Sequence, residues 1–164
     1  MQPYITRTYM KRGEQQKIVH KGTNNKVNAF ITLLYPLNKI KFNMGRTRNS
    51  GDFINHLKNI KRYVLKRSIK RFILVIDNAS FHVSKKTRQY VERQSEWLTV
   101  VYLPKRSPFL NPVETKVNRN LKKDICANYV YETEENLLCS VRKYLRSTGS
   151  VSYTHLTLPT ICSV

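Results

Sequence analysis

Residues 72–76, Phe-Ile-Leu-Val-Ile, form an unbroken apolar run between Arg71 and Asp77. Successive strand residues point to opposite faces, so a strand of this composition is apolar on both. That suits a central strand covered by helices on each side. A second run, Leu98 to Leu103, reads as another buried strand, which Pro104 ends. The first run stops on Asp77, where Gly, Ser or Pro would be the cheaper stop. Either Asp77 is turn chemistry, or the strand exists to hold an acid at its tip.

The remaining elements follow from periodicity. Residues 26–35 alternate and read as a strand, Pro36-Leu37-Asn38 makes a turn, and 39–45 alternates again, which predicts a hairpin. A helix follows, capped by Ser50 or Asp52, with Phe53, Leu57, Ile60 and Val64 on one stripe. Residues 84–94 form a short charged helix. Asn111 caps a helix over 111–125 with Pro112 at its first position; Val113, Val117, Leu121 and Ile125 face inward, and Lys116, Arg119 and Lys123 lie on another face. A last helix spans about 134–146, acidic in its first turn and basic in its last, as the helix dipole prefers. Strand and helix alternate through 71–125, so the class is α/β with a mixed sheet flanked by helices. The 164 residues fit one domain with a real core.

Charge narrows the partners. Thirty Lys and Arg against ten Asp and Glu leave a net charge of +20. Nucleic acid is the default partner for such a surplus, because each neutralised phosphate releases counterions. A ribosomal-type or membrane-adhering basic protein is the competing reading. No stretch approaches the roughly 18 apolar residues of a membrane span, and the first residues lack the apolar centre of a secretory signal. Cys126, Cys139 and Cys162 show no paired spacing, which argues against a disulfide framework and a zinc site. His20 and His56 have no evident partners and are expected in solvent. Trp97 and the tyrosines are expected in the core or at its rim.

Two motifs carry the chemistry: Val-Ile-Asp-Asn-Ala-Ser-Phe-His at 75–82, and Tyr-Leu-Pro-Lys-Arg-Ser-Pro-Phe-Leu-Asn-Pro-Val-Glu at 102–114. Asp77 and Glu114 lie 37 positions apart. Taken singly, Asp77-Asn78 is ordinary turn chemistry, and Asn111-Pro-Val-Glu114 fits a capping box with Glu114 reaching back to the cap N–H. Together they resemble the catalytic core of DDE transposases, specifically the mariner-type superfamily with its bacterial insertion-sequence branch, over roughly residues 1–147. The resemblance implies a ribonuclease H-like fold, with Asp77 as the second catalytic acid and Glu114 as the third. It implies two Mg²⁺ ions, replaceable by Mn²⁺, on those carboxylates, because in-line attack on a phosphodiester is helped by paired hard cations. It also implies DNA cleavage and strand transfer on transposon ends and target DNA, leaves room for a homodimer, and involves no membrane.

His82 matches the family's histidine, as a DNA contact or as support behind the acids, although an ordinary surface histidine fits too. Asn78 is placed to orient Asp77. Lys105 and Arg106 stand where the family often has Pro and an aromatic, and Phe109 where it often has Asp. With Asn111, Lys116, Arg119 and Lys123, they are the candidates for DNA contact or for support of the site. The family's first acid should precede the element resembled by Thr8-Tyr-Met-Lys-Arg-Gly13, but only Met1 to Arg7 stand there, with no Asp or Glu. The chain therefore reads as a fragment lacking the first strand, its first acid and an upstream DNA-binding region, and as inactive in cutting. The location expected is cytoplasmic and nucleoid-associated in a prokaryote, or nuclear in a eukaryote.

From Ser150 to Val164 there is no Asp, Glu, Lys or Arg. Residues 151–160 can be written in codons as GTC TCT TAT ACA CAT CTG ACG CTG CCG ACG, which resembles a sequencing adapter. The expected organisation is a partial DDE endonuclease domain over 1–149 and a non-native tail over 150–164. Two alternatives to the transposase reading stand. One is a non-catalytic basic nucleic-acid-binding protein in which both acids are structural. The other, another ribonuclease H-like nuclease or resolvase, is disfavoured by the Ser-Pro and Asn-Pro-Val-Glu framing.

Overall fold

A computed structural model describes residues 3–7, 9, 11–13, 17, 26–45 and 47–148. The 150–164 tail, His20, Cys162 and most of the segment after Arg7 lie outside the described residues.

The hairpin forms as its alternation predicts. β1 (Asn28–Leu34) pairs antiparallel with β2 (Lys39–Gly45), in a register that sets Phe30 opposite Asn43 and Ile31 opposite Phe42. Asn38 takes a left-handed φ of 50° in the turn, a conformation Asn tolerates better than most residues. α1 (Ser50–Leu65) follows, but its cap is Asn49 and neither expected residue: the Asn49 side chain accepts the Asp52 N–H. The stretch Asn49-Ser-Gly-Asp52 offers three capping side chains in four positions, and residue type alone does not choose among them.

β3 (Phe72–Ile76) and β4 (Leu98–Tyr102) pair parallel, with Phe72 beside Leu98 and Ile76 beside Tyr102. α2 (Lys85–Glu92) is the crossover between them, capped by Ser84. The strands thus run in both directions, but they form two ladders, β1–β2 and β3–β4, with no hydrogen-bonded strand joining them among the described residues.

Two cores result. Phe30 of the hairpin, the α1 stripe Phe53, Leu57, Ile60 and Val64, and Leu74, Ile76, Trp97 and Leu98 form the first. The second lies on the opposite hairpin face, where Ile31, Leu33, Phe42 and Met44 meet Val117 and Leu121 and the buried Leu137, Val141 and Leu145 of the last helix, α4 (Glu134–Ser147). The hairpin is therefore the ladder covered on both faces. β3 is not: Leu74 and Ile76 are buried, while Ile73 is 66% and Val75 51% exposed. An apolar run reports that a strand is fit for burial on both faces, but whether both are covered depends on distant chain.

The helix carrying Glu114 runs where expected but winds unusually. A π-helical stretch, Val113–Asn118, passes through one α turn, α3 (Arg119–Leu121), into a second π stretch, Lys122–Cys126. Val117 and Leu121 are buried, and Val113 and Ile125 pack partly buried beside them, as their spacing predicts. Beyond its end, Tyr4 bridges Ala127, with the Tyr4 N–H donating to the Cys126 carbonyl at 2.9 Å.

Candidate active site

The parallel ladder determines where its acids emerge. One residue past β3, Asp77 is exposed at the carboxyl end of the strand, the end where α/β sheets characteristically present ligands. There the two strand ends are tied together: Leu103 N–H donates to the Ile76 carbonyl at 2.8 Å, and Asn78 Nδ2 donates to the Leu103 carbonyl at 2.6 Å. Asn78 thus fixes the strand ends on either side of the site; its side chain does not bond Asp77.

Asp77 is oriented by its own loop. Its Oδ1 accepts the Ala79 N–H at 3.1 Å and lies 2.7 Å from His82 Nδ1. The His82 ring is mostly buried between Phe53 and Phe81, with centroids 4.3 and 4.2 Å away. Burial lowers its pKa, against the opposing pull of the Asp77 charge and hydrogen bonds; Arg48 adds a smaller lowering effect. A neutral His82 with its proton on Nδ1 donates to the carboxylate and leaves Oδ2 open. Of the two functional readings, support behind the acid is the one this geometry favours.

The 77–84 loop is itself pinned. Thr87 is fully buried and its hydroxyl donates to the Phe81 carbonyl at 2.7 Å, while Ser84 and Ser50 hydroxyls meet at 2.8 Å and join the starts of α1 and α2. Phe53, Phe81 and Arg48, whose guanidinium lies 5.2 Å from the Phe81 ring, are not legible as site residues in the sequence. Phe53 belongs to an ordinary apolar stripe, and nothing local marks Arg48.

Glu114 arrives from the same end of the ladder. After β4 the chain passes through Lys105, Arg106 and a 3-10 turn, Pro108–Leu110, into the helix. Arg106 takes a left-handed φ of 59°, and Lys105, Arg106 and Phe109 are all exposed. Asn111 caps as predicted: its Oδ1 accepts the Val113 N–H at 3.1 Å and its carbonyl accepts the Glu114 N–H at 3.0 Å. The reciprocal half of a capping box is missing, since no hydrogen bond or ion pair engages the exposed Glu114 carboxylate among the described residues. Arg119 and Lys123 are exposed along the helix and Lys116 is partly buried.

Mg²⁺ prefers hard carboxylate oxygens and retains several waters. The open Oδ2 of Asp77 and the unengaged Glu114 carboxylate have the right chemistry. No cluster of three or more His, Cys, Asp or Glu is placed to hold a metal among the described residues.

His56 does not behave as expected. It is buried and bonded, with Nε2 2.8 Å from the Thr32 hydroxyl and Nδ1 3.1 Å from Asn43 Oδ1. Its partners lie in β1 and β2, 24 and 13 positions away, which no local pattern reveals.

The class is that of α/β domains which present side chains past the carboxyl end of a parallel ladder, here Asp77, in a chain with a large basic surplus. The family is then specific: the model for the DDE superfamily endonucleases matches residues 1–138, and the chain belongs to that family. A 39 kDa protein of insertion element IS630 from Shigella sonnei is 28% identical over 147 residues, covering 90% of this chain and 42% of that protein. The Mos1 transposase paired-end complex with its left transposon end matches with a TM-score of 0.66 at 20% identity, over 92% of this chain and 44% of that one. The Mos1 transposase catalytic domain solved with raltegravir and Mg matches with a TM-score of 0.55 at 17% identity, over 77% and 70%. The chain thus spans less than half of the IS630 protein and of the Mos1 chain in the paired-end complex, and the expected ribonuclease H-like class holds. No helix among the described residues is long and apolar enough to cross a membrane.

Proposed function

We propose that this chain is part of the catalytic domain of a mariner/IS630-type transposase, which cleaves DNA and joins strands with divalent metal. One observation carries the reading: the Glu114 carboxylate sits at the start of a helix with no structural partner among the described residues, in a family of endonucleases. An unbonded carboxylate is common on any surface; here it stands in the Asn-Pro-Val-Glu motif at a helix start, within the span matched by the endonuclease family.

Asp77 and Glu114 are the proposed ligands, for Mg²⁺ or Mn²⁺, with two ions in a complete site. Bound metal supplies activation of the attacking oxygen and stabilisation of the leaving one. The protein's part is placement. His82 and the Ala79 N–H hold Asp77 Oδ1, Asn78 fixes the end of β4, and Asn111 fixes the first turn beneath Glu114. Lys105, Arg106, Lys116, Arg119 and Lys123 supply charge for the phosphates on either side of the reacting one. DNA is the proposed partner, and the compartment is wherever that DNA lies: nucleoid or nucleus. The domain boundary at residue 149 belongs to the same proposal.

Two carboxylates are fewer than a two-metal site needs, so the chain alone is expected to bind Mn²⁺ and DNA without nicking a plasmid. Calorimetric titration with Mn²⁺ tests the core of the reading. Binding should disappear in Asp77→Asn and in Glu114→Gln; unchanged binding in both would make the acids structural and favour the non-catalytic DNA-binding alternative.

A further inference from the structure

Asp77 stands at one end of the parallel ladder, and a second concentration of charge occupies the other. From residue 61 to 71, six of eleven positions are Lys or Arg, and between residues 15 and 76 the single carboxylate is Asp52. This stretch is the end of α1, the turn after it and the entry to β3. The turn is held by hydrogen bonds from Arg67 and Ile69 N–H to the Val64 carbonyl. Arg71 therefore stands at the opposite end of β3 from Asp77, six residue steps or roughly 20 Å away at about 3.3 Å per step.

Part of this charge is organised. Lys41 Nζ and the Arg67 guanidinium carbon each lie 3.7 Å from the centre of the Tyr63 ring. Two cations so close to one ring centre, without colliding, must take opposite faces. The Lys41 pKa is lowered, by burial first and then by Arg67 and Lys39, so these like charges sit together uncompensated. No Lys or Arg of this stretch pairs with a carboxylate among the described residues. The Tyr63 ring offsets part of the repulsion between these cations and holds them in place. Fixing them on an aromatic ring lowers the entropy lost when they engage an anion.

We propose that Lys41 and Arg67, clasped on Tyr63, with Lys39 beside Lys41 and continued by Lys66, Lys70 and Arg71, form a second DNA surface. It would grip the phosphate backbone of duplex DNA roughly 20 Å from Asp77, about six base pairs along the helix axis. The inference rests on the DNA-acting reading above. It adds a grip on duplex remote from the chemistry, so that holding the DNA and cutting it are separable. The ligand is the duplex backbone and not a lipid headgroup, because the surface belongs to an endonuclease of net charge +20.

The test is lysine-acetylation footprinting of the full chain, read by mass spectrometry. The probe is a duplex of about 15 base pairs, roughly one and a half turns, with phosphatidylserine vesicles in a parallel arm. The expected result is protection by duplex of Lys39, Lys41, Lys66 and Lys70 together with Lys105 and Lys123. Protection of the last two alone would overturn the second surface and leave the DNA-acting reading standing; protection of neither set would refute both. Protection of the first set by vesicles and not by duplex would overturn it in favour of a lipid surface. Tyr63→Ala, which leaves net charge unchanged, should flatten the slope of log affinity against log salt by roughly 0.9 for each phosphate that is no longer neutralised. Tyr63→Phe should keep the slope; an unaltered slope in Tyr63→Ala would remove the ring from the proposal.

Discussion

The most quantitative consequence of the fold concerns acid and His56. The ring is buried between α1 and the hairpin, bonded to Thr32 of β1 and Asn43 of β2, and stacked on Phe30 at 6.1 Å. The neutral tautomer satisfies this network, Nδ1–H donating to Asn43 Oδ1 and Nε2 accepting the Thr32 hydroxyl proton. A charged ring would sit in the apolar seam without solvent. Burial first, and the nearby His82 second, push its pKa down from 6.5 to about 4. Because the folded pKa is the lower one, the unfolded chain takes up this proton first as pH falls. The stabilisation is fully present above pH 6.5 and is lost progressively down to about pH 4. At 1.36 kcal/mol per pH unit, that interval is worth on the order of 3 kcal/mol, a large share of a typical domain's stability.

The assay is urea denaturation at several pH values between 7.5 and 4, comparing the chain with His56→Gln, which cannot titrate. The carboxylates titrate in both proteins and cancel in the difference, while the smaller coupling to His82 stays within it. The variant should start less stable, yet the gap should narrow by about 3 kcal/mol on acidification. A parallel decline of stability in the two, or an NMR titration placing His56 near 6.5 in the folded chain, would refute the argument.

Two other substitutions probe the core and the acid site. Leu121→Ala removes a fully buried side chain at the centre of the second core and should cost about 2–5 kcal/mol by chemical denaturation. His82→Phe, which keeps a ring between Phe53 and Phe81 but cannot donate, should leave the chain folded and weaken Mn²⁺ affinity roughly tenfold or more in calorimetry, because Asp77 loses the donor that orients it.

Much of this molecule is legible where local rules suffice. The hairpin, α1 with its stripe, both parallel strands and the inward face of the Glu114 helix all follow from periodicity, and the acids' positions follow from two short motifs. What escapes reading depends on partners distant in sequence. His56 reads as solvated because nothing near it announces Thr32 or Asn43. β3 reads as covered on both faces because its composition permits it, whereas Ile73 and Val75 are exposed. The cap of α1 falls to Asn49 among neighbours of nearly equal capping strength. The π winding on either side of Arg119 has no signature in residue type, although such winding often accompanies functional sites.

Glu114 distinguishes most sharply between an acid that serves the fold and one that serves chemistry, because the two roles predict opposite responses to metal. In the structural role, the carboxylate would close a capping box, and its removal would cost about 0.5–2 kcal/mol with or without metal. The observed carboxylate closes no such box: Asn111 caps the helix through its own side chain, and no bond returns from Glu114. In metal-free buffer Glu114→Gln should therefore cost less than about 1 kcal/mol, the effect of removing a charge from the first turn of a helix. With Mn²⁺ at a hundred times its dissociation constant, the unmodified chain should gain about 2.7 kcal/mol of unfolding free energy, since only the folded state assembles the pair. Glu114→Gln should gain almost none. Denaturation midpoints in EDTA and in Mn²⁺ give all four numbers from one instrument. If the variant is weakened equally in both buffers while metal still stabilises it, Glu114 is a cap and the proposed site loses one of its two ligands.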